Sequence, residues 1–143
     1  MEGQNPAMAI AYVGCMVFAA SLYHLPPRIL PSIQAVENGR NGLVHHNANG
    51  TDDLGVMQVN TLWIDPIARF THVAPQIVYR NLLDQPCYNI SAAGAIMRVY
   101  LNETRGDLMR AVGNYHSHTV LLNQSYQALV LAWARRLFQP TLP

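Results

Sequence analysis

The sequence predicts a single, mainly helical domain carrying one small β-hairpin or polar loop. Three observations predict it. The chain has 143 residues, half of them hydrophobic and only 12% charged, which suits one domain with a substantial core and argues against disorder. Apolar residues recur at helical spacing through several segments punctuated by Pro and Gly. Only one stretch, Arg40 to Thr51, is rich in Gly, Asn and His with few apolar positions, and it reads as a loop or short hairpin.

Taken in order, residues 1 to 8 read as disordered or as a lead-in to the first helix. Ala7 to Leu22 is a strongly apolar run. It is shorter than the ~20 residues of a membrane-spanning helix, and no Lys or Arg precedes it as in a secretory leader. A buried first helix is the favoured reading and an export signal the alternative, so no stable membrane span is expected. Pro26-Pro27 punctuates the chain, and Pro27 or Pro31 opens a short helix that ends at Glu37, with Gly39 as its left-handed cap. After the polar stretch, Asp53 to Asn60 contains a compact Gly55-Val56-Met57-Gln58 turn. Thr61 to Phe70 reads as a short helix or turn broken at Pro66. Pro75 opens a helix through Leu83, Pro86 restarts the chain, and Asn89 or Ser91 begins a long helix with Ile90, Ala93, Gly94, Met97 and Leu101 on one face. Gly106-Asp107 precedes a helix to about Gly113. A final helix, Gln124 to Phe138, places Tyr126, Leu129, Val130, Trp133 and Leu137 at helical spacing. No repeat or interdomain linker appears.

The residues that carry chemistry cluster around Glu37. Glu37-Asn38-Gly39 with Asn41 resembles the Glu-Ser-Gly-x-Asn motif of lytic transglycosylases, with Asn38 in place of the serine, and Gly55-Val56-Met57-Gln58 resembles their Gly-Leu-Met-Gln. Asn49 to Thr61 is similar to the active-site hairpin of animal lysozymes and of the small transglycosylases that accompany bacterial secretion and conjugation systems. Asn89-Ile90 with Ala93-Gly94, and Gly113-Asn114-Tyr115-His116-Ser117, resemble two further family motifs in the family's order. The resemblance covers the chain from about Cys15 to Phe138 and implies a lysozyme-like fold, of the SLT type.

Cleaving a β-1,4 glycosidic bond requires a proton for the leaving oxygen and stabilisation of charge on the sugar ring. Glu37 is placed to supply the proton, because an apolar setting and a helix C-terminus both disfavour its anion and keep a usable fraction protonated near neutral pH. The resemblance implies that the same carboxylate then takes the proton of the 6-hydroxyl of N-acetylmuramic acid, giving a 1,6-anhydro product without consuming water. Asp53 stands where animal lysozymes carry a second carboxylate, so a retaining muramidase is the alternative; its bland reading is a turn formed with Asp52. Substrate contacts are expected from Asn38, Asn41, Gly55, Met57, Gln58, Asn60, Tyr115 and Tyr126. Gln58 offers a donor and an acceptor, and Met57 an adaptable apolar surface. Tyr115 is expected to reach the carboxyl or the sugar, whereas Tyr126 either faces the cleft or packs beside Trp133. His116 replaces the family's asparagine, and with Asn38 it leaves open a third reading, a wall-binding assembly protein without turnover. Cys15 and Cys87 are either two buried thiols or, as in some relatives, a disulfide tying the first helix to the Asn89 helix.

Nine arginines, no lysine and eight acids give a net charge of +1, which offers no broad footprint for nucleic acid. His45-His46 and His116-x-His118 lack the carboxylate or cysteine pattern of a metal centre, so no metal and no cofactor are expected. The resemblance implies peptidoglycan glycan strands as substrate, parts of a secretion or conjugation apparatus as partners, and a periplasmic or cell-envelope location, although an export signal is not evident. No coiled-coil seam argues for association, and a monomer is expected.

Overall fold

A computed structural model describes residues 9–139; the expectation for residues 1 to 8 lies outside them. Among the described residues the chain forms α1 (Val13–Leu22), α2 (Ile29–Glu37), β1 (Val44–His46), β2 (Asp52–Leu54), β3 (Val59–Asn60), a single 3-10 turn (Thr61–Trp63), α3 (Ile64–Thr71), α4 (Pro75–Asp84), α5 (Pro86–Glu103), α6 (Leu108–His116) and α7 (Val120–Phe138). The architecture is the mainly helical, lysozyme-like one that the sequence predicts, with one small antiparallel sheet ordered β1-β2-β3. Strand register pairs His45 with Asp53 and Asp53 with Asn60, so Asp53 stands at the centre of the sheet.

The core gathers around α5. Its face of Ile90, Ala93, Gly94, Met97 and Leu101 is buried, and α5 packs against α1, α2, α4 and α6. Gly94 leaves room for Tyr23, whose ring would lie 2.9 Å from an added Cβ. Arg98 of α5 donates to the carbonyls of Tyr23 and His24 at 2.9 and 2.8 Å, satisfying acceptors at the end of α1. Cys15 of α1 and Cys87 of α5 are joined by a disulfide. Closing a loop with a sequence separation of 72 stabilises by about 4 kcal/mol on the chain-entropy account.

Several boundaries differ from the sequence reading, each for a local reason. The first helix is not buried: only Met16, Ala19 and Ala20 are, while Val13, Val17, Phe18 and Leu22 are exposed. Its apolar composition carried no periodicity from which to tell the two faces apart. Asn38, not Gly39, takes the left-handed cap after α2, with φ 52°. Asparagine tolerates that region, and Gly39 is required for another purpose. Pro66 does not break α3. It lies in the first turn, where its missing N–H has no intrahelical acceptor to lose. Proline likewise opens α5 at Pro86, ahead of Asn89 or Ser91. The last helix begins a turn before Gln124, at Val120.

Candidate active site

α2 delivers the carboxyl. Leu30 and Ile33 are fully buried, and Glu37 continues the same stripe at i+7 and i+4, so the last residue of the helix points along the core face to its rim. Two contacts fix the helix end. Gln34 Nε2 donates to the carbonyl of Gly39 at 3.1 Å. Gly39 itself is buried so closely against the β2–β3 turn that a Cβ there would strike the backbone carbonyls of Gly55 and Val56. Its lack of a side chain, and not a positive φ, is what lets α2 meet the turn.

That turn is held from beneath by Asn89. Fully buried, Asn89 donates through Nδ2 to the carbonyls of Leu54 and Leu82, both at 2.8 Å, and accepts from the Met57 N–H at 2.7 Å. Gly55 adopts φ +71° immediately above it, leaving no space for a Cβ. Three backbone groups that water cannot reach are thereby satisfied, and the turn becomes rigid.

Above these supports runs a groove of about 540 Å³, with Glu37 on its wall. One side is the sheet: Asp53, Gln58 and Asn60, with Asn47 and Asn49 from the loop between β1 and β2. The other is helical: Ile96 and Tyr100 from α5, Asn114, Tyr115 and His116 from α6, and then His118. Trp63 and Tyr100 meet edge to face at 5.8 Å and supply aromatic surface. A smaller hollow of about 220 Å³, lined by Val36, Leu122, Ser125, Tyr126 and Leu129, adjoins Glu37 and shares both Glu37 and His116 with the groove.

Burial pushes the Glu37 carboxyl from its ordinary 4.5 up to about 7. The Tyr126 hydroxyl, which donates to Glu37 Oε1 at 2.8 Å, acts in the opposite direction by favouring the anion; the negative charge of Asp53 raises the value further, and His45 lowers it. Near neutral pH the group therefore populates both protonation states. Tyr126 is itself 4% exposed, and burial together with Glu37 raises its phenol well above the usual range.

The expected site residues divide. Glu37, Asp53, Gln58, Asn60 and Tyr115 line the groove together, and Tyr126 borders the smaller hollow with its hydroxyl on Glu37. Asn60 Nδ2 donates to Asp53 Oδ1 at 3.0 Å and so orients that carboxyl across the sheet. Gln58 takes φ 52° and donates back to the Gly55 carbonyl at 2.9 Å. Tyr115 donates to the Met57 carbonyl at 2.7 Å, not to Glu37. Four residues do not line the groove. Met57 is fully buried in the core, Gly55 lies over Asn89, Asn41 is exposed, and Asn38 borders a separate hollow beside Trp133 and Leu137. Met57 and Gly55 instead build the turn against which α2 packs, and Asn38 caps the helix that carries Glu37. Sequence reasoning missed Trp63, Tyr100 and the part Asn89 plays as a hub. Two signals pointed to Asn89, its place at the start of an apolar helix face and the resemblance of Asn89-Ile90 with Ala93-Gly94 to a family motif, but neither showed what the side chain holds.

A partly dried carboxyl on the wall of a polar, aromatic-edged groove, inside this fold, defines a lysozyme-like domain. Residues 14–127 match the family described as Transglycosylase SLT domain, and the chain belongs to that family, the lytic transglycosylases, whose members act on peptidoglycan in the cell envelope. It is similar to the Invasion protein IagB of Salmonella typhimurium, 26% identical over 114 residues that cover 76% of this chain and 65% of that protein, and IagB of Salmonella typhi matches to the same extent. It is also similar to a Peptidoglycan-binding-like protein of Escherichia coli O157:H7, 24% identical over 138 residues covering 92% of this chain and 78% of the other. The match thus spans about two thirds of IagB. Among the described residues, no helix is long and apolar enough to cross a membrane.

Proposed function

We propose that this protein cleaves the β-1,4 bond between N-acetylmuramic acid and N-acetylglucosamine in peptidoglycan as a lytic transglycosylase, with Glu37 as the sole acid and base. The observation that carries the reading is the Glu37 carboxyl, raised to about 7 at the wall of a groove and hydrogen-bonded by Tyr126. A protonated Glu37 donates to the glycosidic oxygen as the bond from the anomeric carbon to that oxygen breaks, and positive charge develops on the sugar ring. The carboxylate left behind removes the proton of the 6-hydroxyl, whose oxygen bonds to the anomeric carbon. The product is a 1,6-anhydro sugar, and Glu37 ends protonated, ready for another turnover. A pKa close to the working pH serves both halves of this cycle. Gln58, Asn60 and Tyr115 are the proposed sugar contacts, and the edge of Trp63 and Tyr100 suits the apolar face of a pyranose.

Glu37→Gln is the test. The variant is expected to lose sacculus clearing while remaining folded, whereas clearing equal to the parent's would reject the assignment and a parent without clearing would favour a binding role. One observation supports a second reading: Asp53 lines the same groove and its charge acts on Glu37. With Asp53 as nucleophile or stabiliser the protein is a retaining muramidase, and mass spectrometry separates the two, since hydrolysis yields reducing ends and transglycosylation anhydro ends. The resemblance of residues 49–61 to the hairpin of the small transglycosylases of secretion and conjugation systems supports a role in opening the wall for a secretion, pilus or conjugation apparatus, and the similarity to a protein named for invasion is compatible with it.

A further inference from the structure

His116 takes no part in the chemistry above, yet it occupies a particular place. It ends α6, is exposed, and its imidazole stacks on the Tyr126 ring with centroids 5.1 Å apart and planes 13° from parallel. Tyr126 projects from α7, a different helix, and among the described residues its hydroxyl has a single hydrogen-bond partner, Glu37 Oε1. One hydrogen bond fixes the end of a phenol but not the plane of its ring. Packing must fix the plane, and on the side that the two hollows share, His116 supplies that packing. Stacked aromatic pairs of this kind prefer a defined separation and tilt, so the imidazole restricts the directions from which the hydroxyl meets the carboxyl.

We propose that His116 is a positioning residue for Glu37: its imidazole, stacked on Tyr126, holds the phenol whose hydroxyl orients the reacting carboxyl. Asparagine, the residue that resembling motifs carry here, has no ring to stack in this way. The consequence for turnover rests on the reading of Glu37 as acid and base. The contact itself does not.

The test is a carboxyl NMR titration of Glu37 in the parent, His116→Ala, Tyr126→Phe and the double variant, together with sacculus clearing. If the imidazole acts through the hydroxyl, His116→Ala displaces the Glu37 titration when Tyr126 is present and leaves it in place when Phe replaces Tyr126. His116→Phe, which keeps a stacking ring, is expected to restore the parent's titration, and His116→Asn to behave as alanine does, which separates loss of the ring from loss of the fold. In clearing, His116→Ala is expected to lower kcat about threefold to tenfold with little change in KM, the size of a lost aromatic stack. An equal displacement in both backgrounds would mean that the ring only shields the carboxyl from water, and that result, like no displacement at all, overturns the proposal. If the titration cycle couples but no chain clears sacculi, the catalytic reading fails and the positioning contact stands.

Discussion

Glu37→Gln tests the dry carboxyl independently of any substrate, through the stability of the fold. In the unfolded chain Glu37 titrates near its ordinary 4.5, and in the folded protein near 7. A carboxyl whose folded pKa is raised contributes stability fully present below the unfolded value and lost as pH rises through the folded one, because above that point the fold must hold an anion that its surroundings disfavour. The window is thus pH 4.5 to 7. At about 1.36 kcal/mol for each pH unit the two values correspond to about 3 kcal/mol, and the groove side of Glu37 is open to solvent, so about 2 kcal/mol is the expected size. Glutamine keeps the shape and still accepts from the Tyr126 hydroxyl, but never ionises. Urea unfolding at about pH 5 and about pH 8 should therefore show the variant more stable than the parent at the higher pH by about 2 kcal/mol, with a clearly smaller difference at the lower. A parent whose advantage or deficit relative to the variant is the same at both pH values would refute the reasoning, and a variant less stable at the higher pH would reverse its sign.

Tyr126→Phe removes the hydrogen bond that favours the Glu37 anion. The pH above which clearing falls should move upward by about 1 to 2 pH units, the value of a hydrogen bond to a charged group, and an unmoved or lowered limb would deny Tyr126 its part. Asn89→Ala strands the Met57 N–H and the Leu54 and Leu82 carbonyls, all satisfied by that side chain. A loss of about 2 to 4 kcal/mol in urea unfolding is expected, and under about 1 kcal/mol would show that the turn holds itself. Gly39→Ala drives a methyl into the carbonyls of Gly55 and Val56. Since backbone atoms yield poorly, about 1 to 3 kcal/mol of stability and most of the clearing activity should be lost, and a variant with parental unfolding and activity would remove the close approach from the account.

The linear pattern of residues was sufficient for the class of fold and for the carboxyl. Helical spacing in α5 and α7 and prolines at Pro75 and Pro86 placed the helices, because burial of one face imposes a period that a sequence displays. Glu37 was legible as the carboxyl that ends a short helix, and the ordered resemblance around it supplied the chemistry; that it continues the buried stripe of Leu30 and Ile33 came from the structure. Where a signal has no period, the reading failed: α1 is apolar on every side, so nothing in its letters told Met16, Ala19 and Ala20 from Val17 and Phe18.

What only the tertiary structure decided is which distant residues meet. Glu37 and Tyr126 lie 89 positions apart and share a 2.8 Å hydrogen bond, and Asn89 spans 35 positions to hold Leu54. Met57 and Gly55 belong to the same motif as Gln58, yet they support the turn from below while Gln58 borders the groove. Local propensity acts over a few residues, and it set the helices and the end of α2. The dryness that lifts the Glu37 carboxyl is a property of the space between α2, α6 and α7, created when their side chains pack, and no single segment contains it.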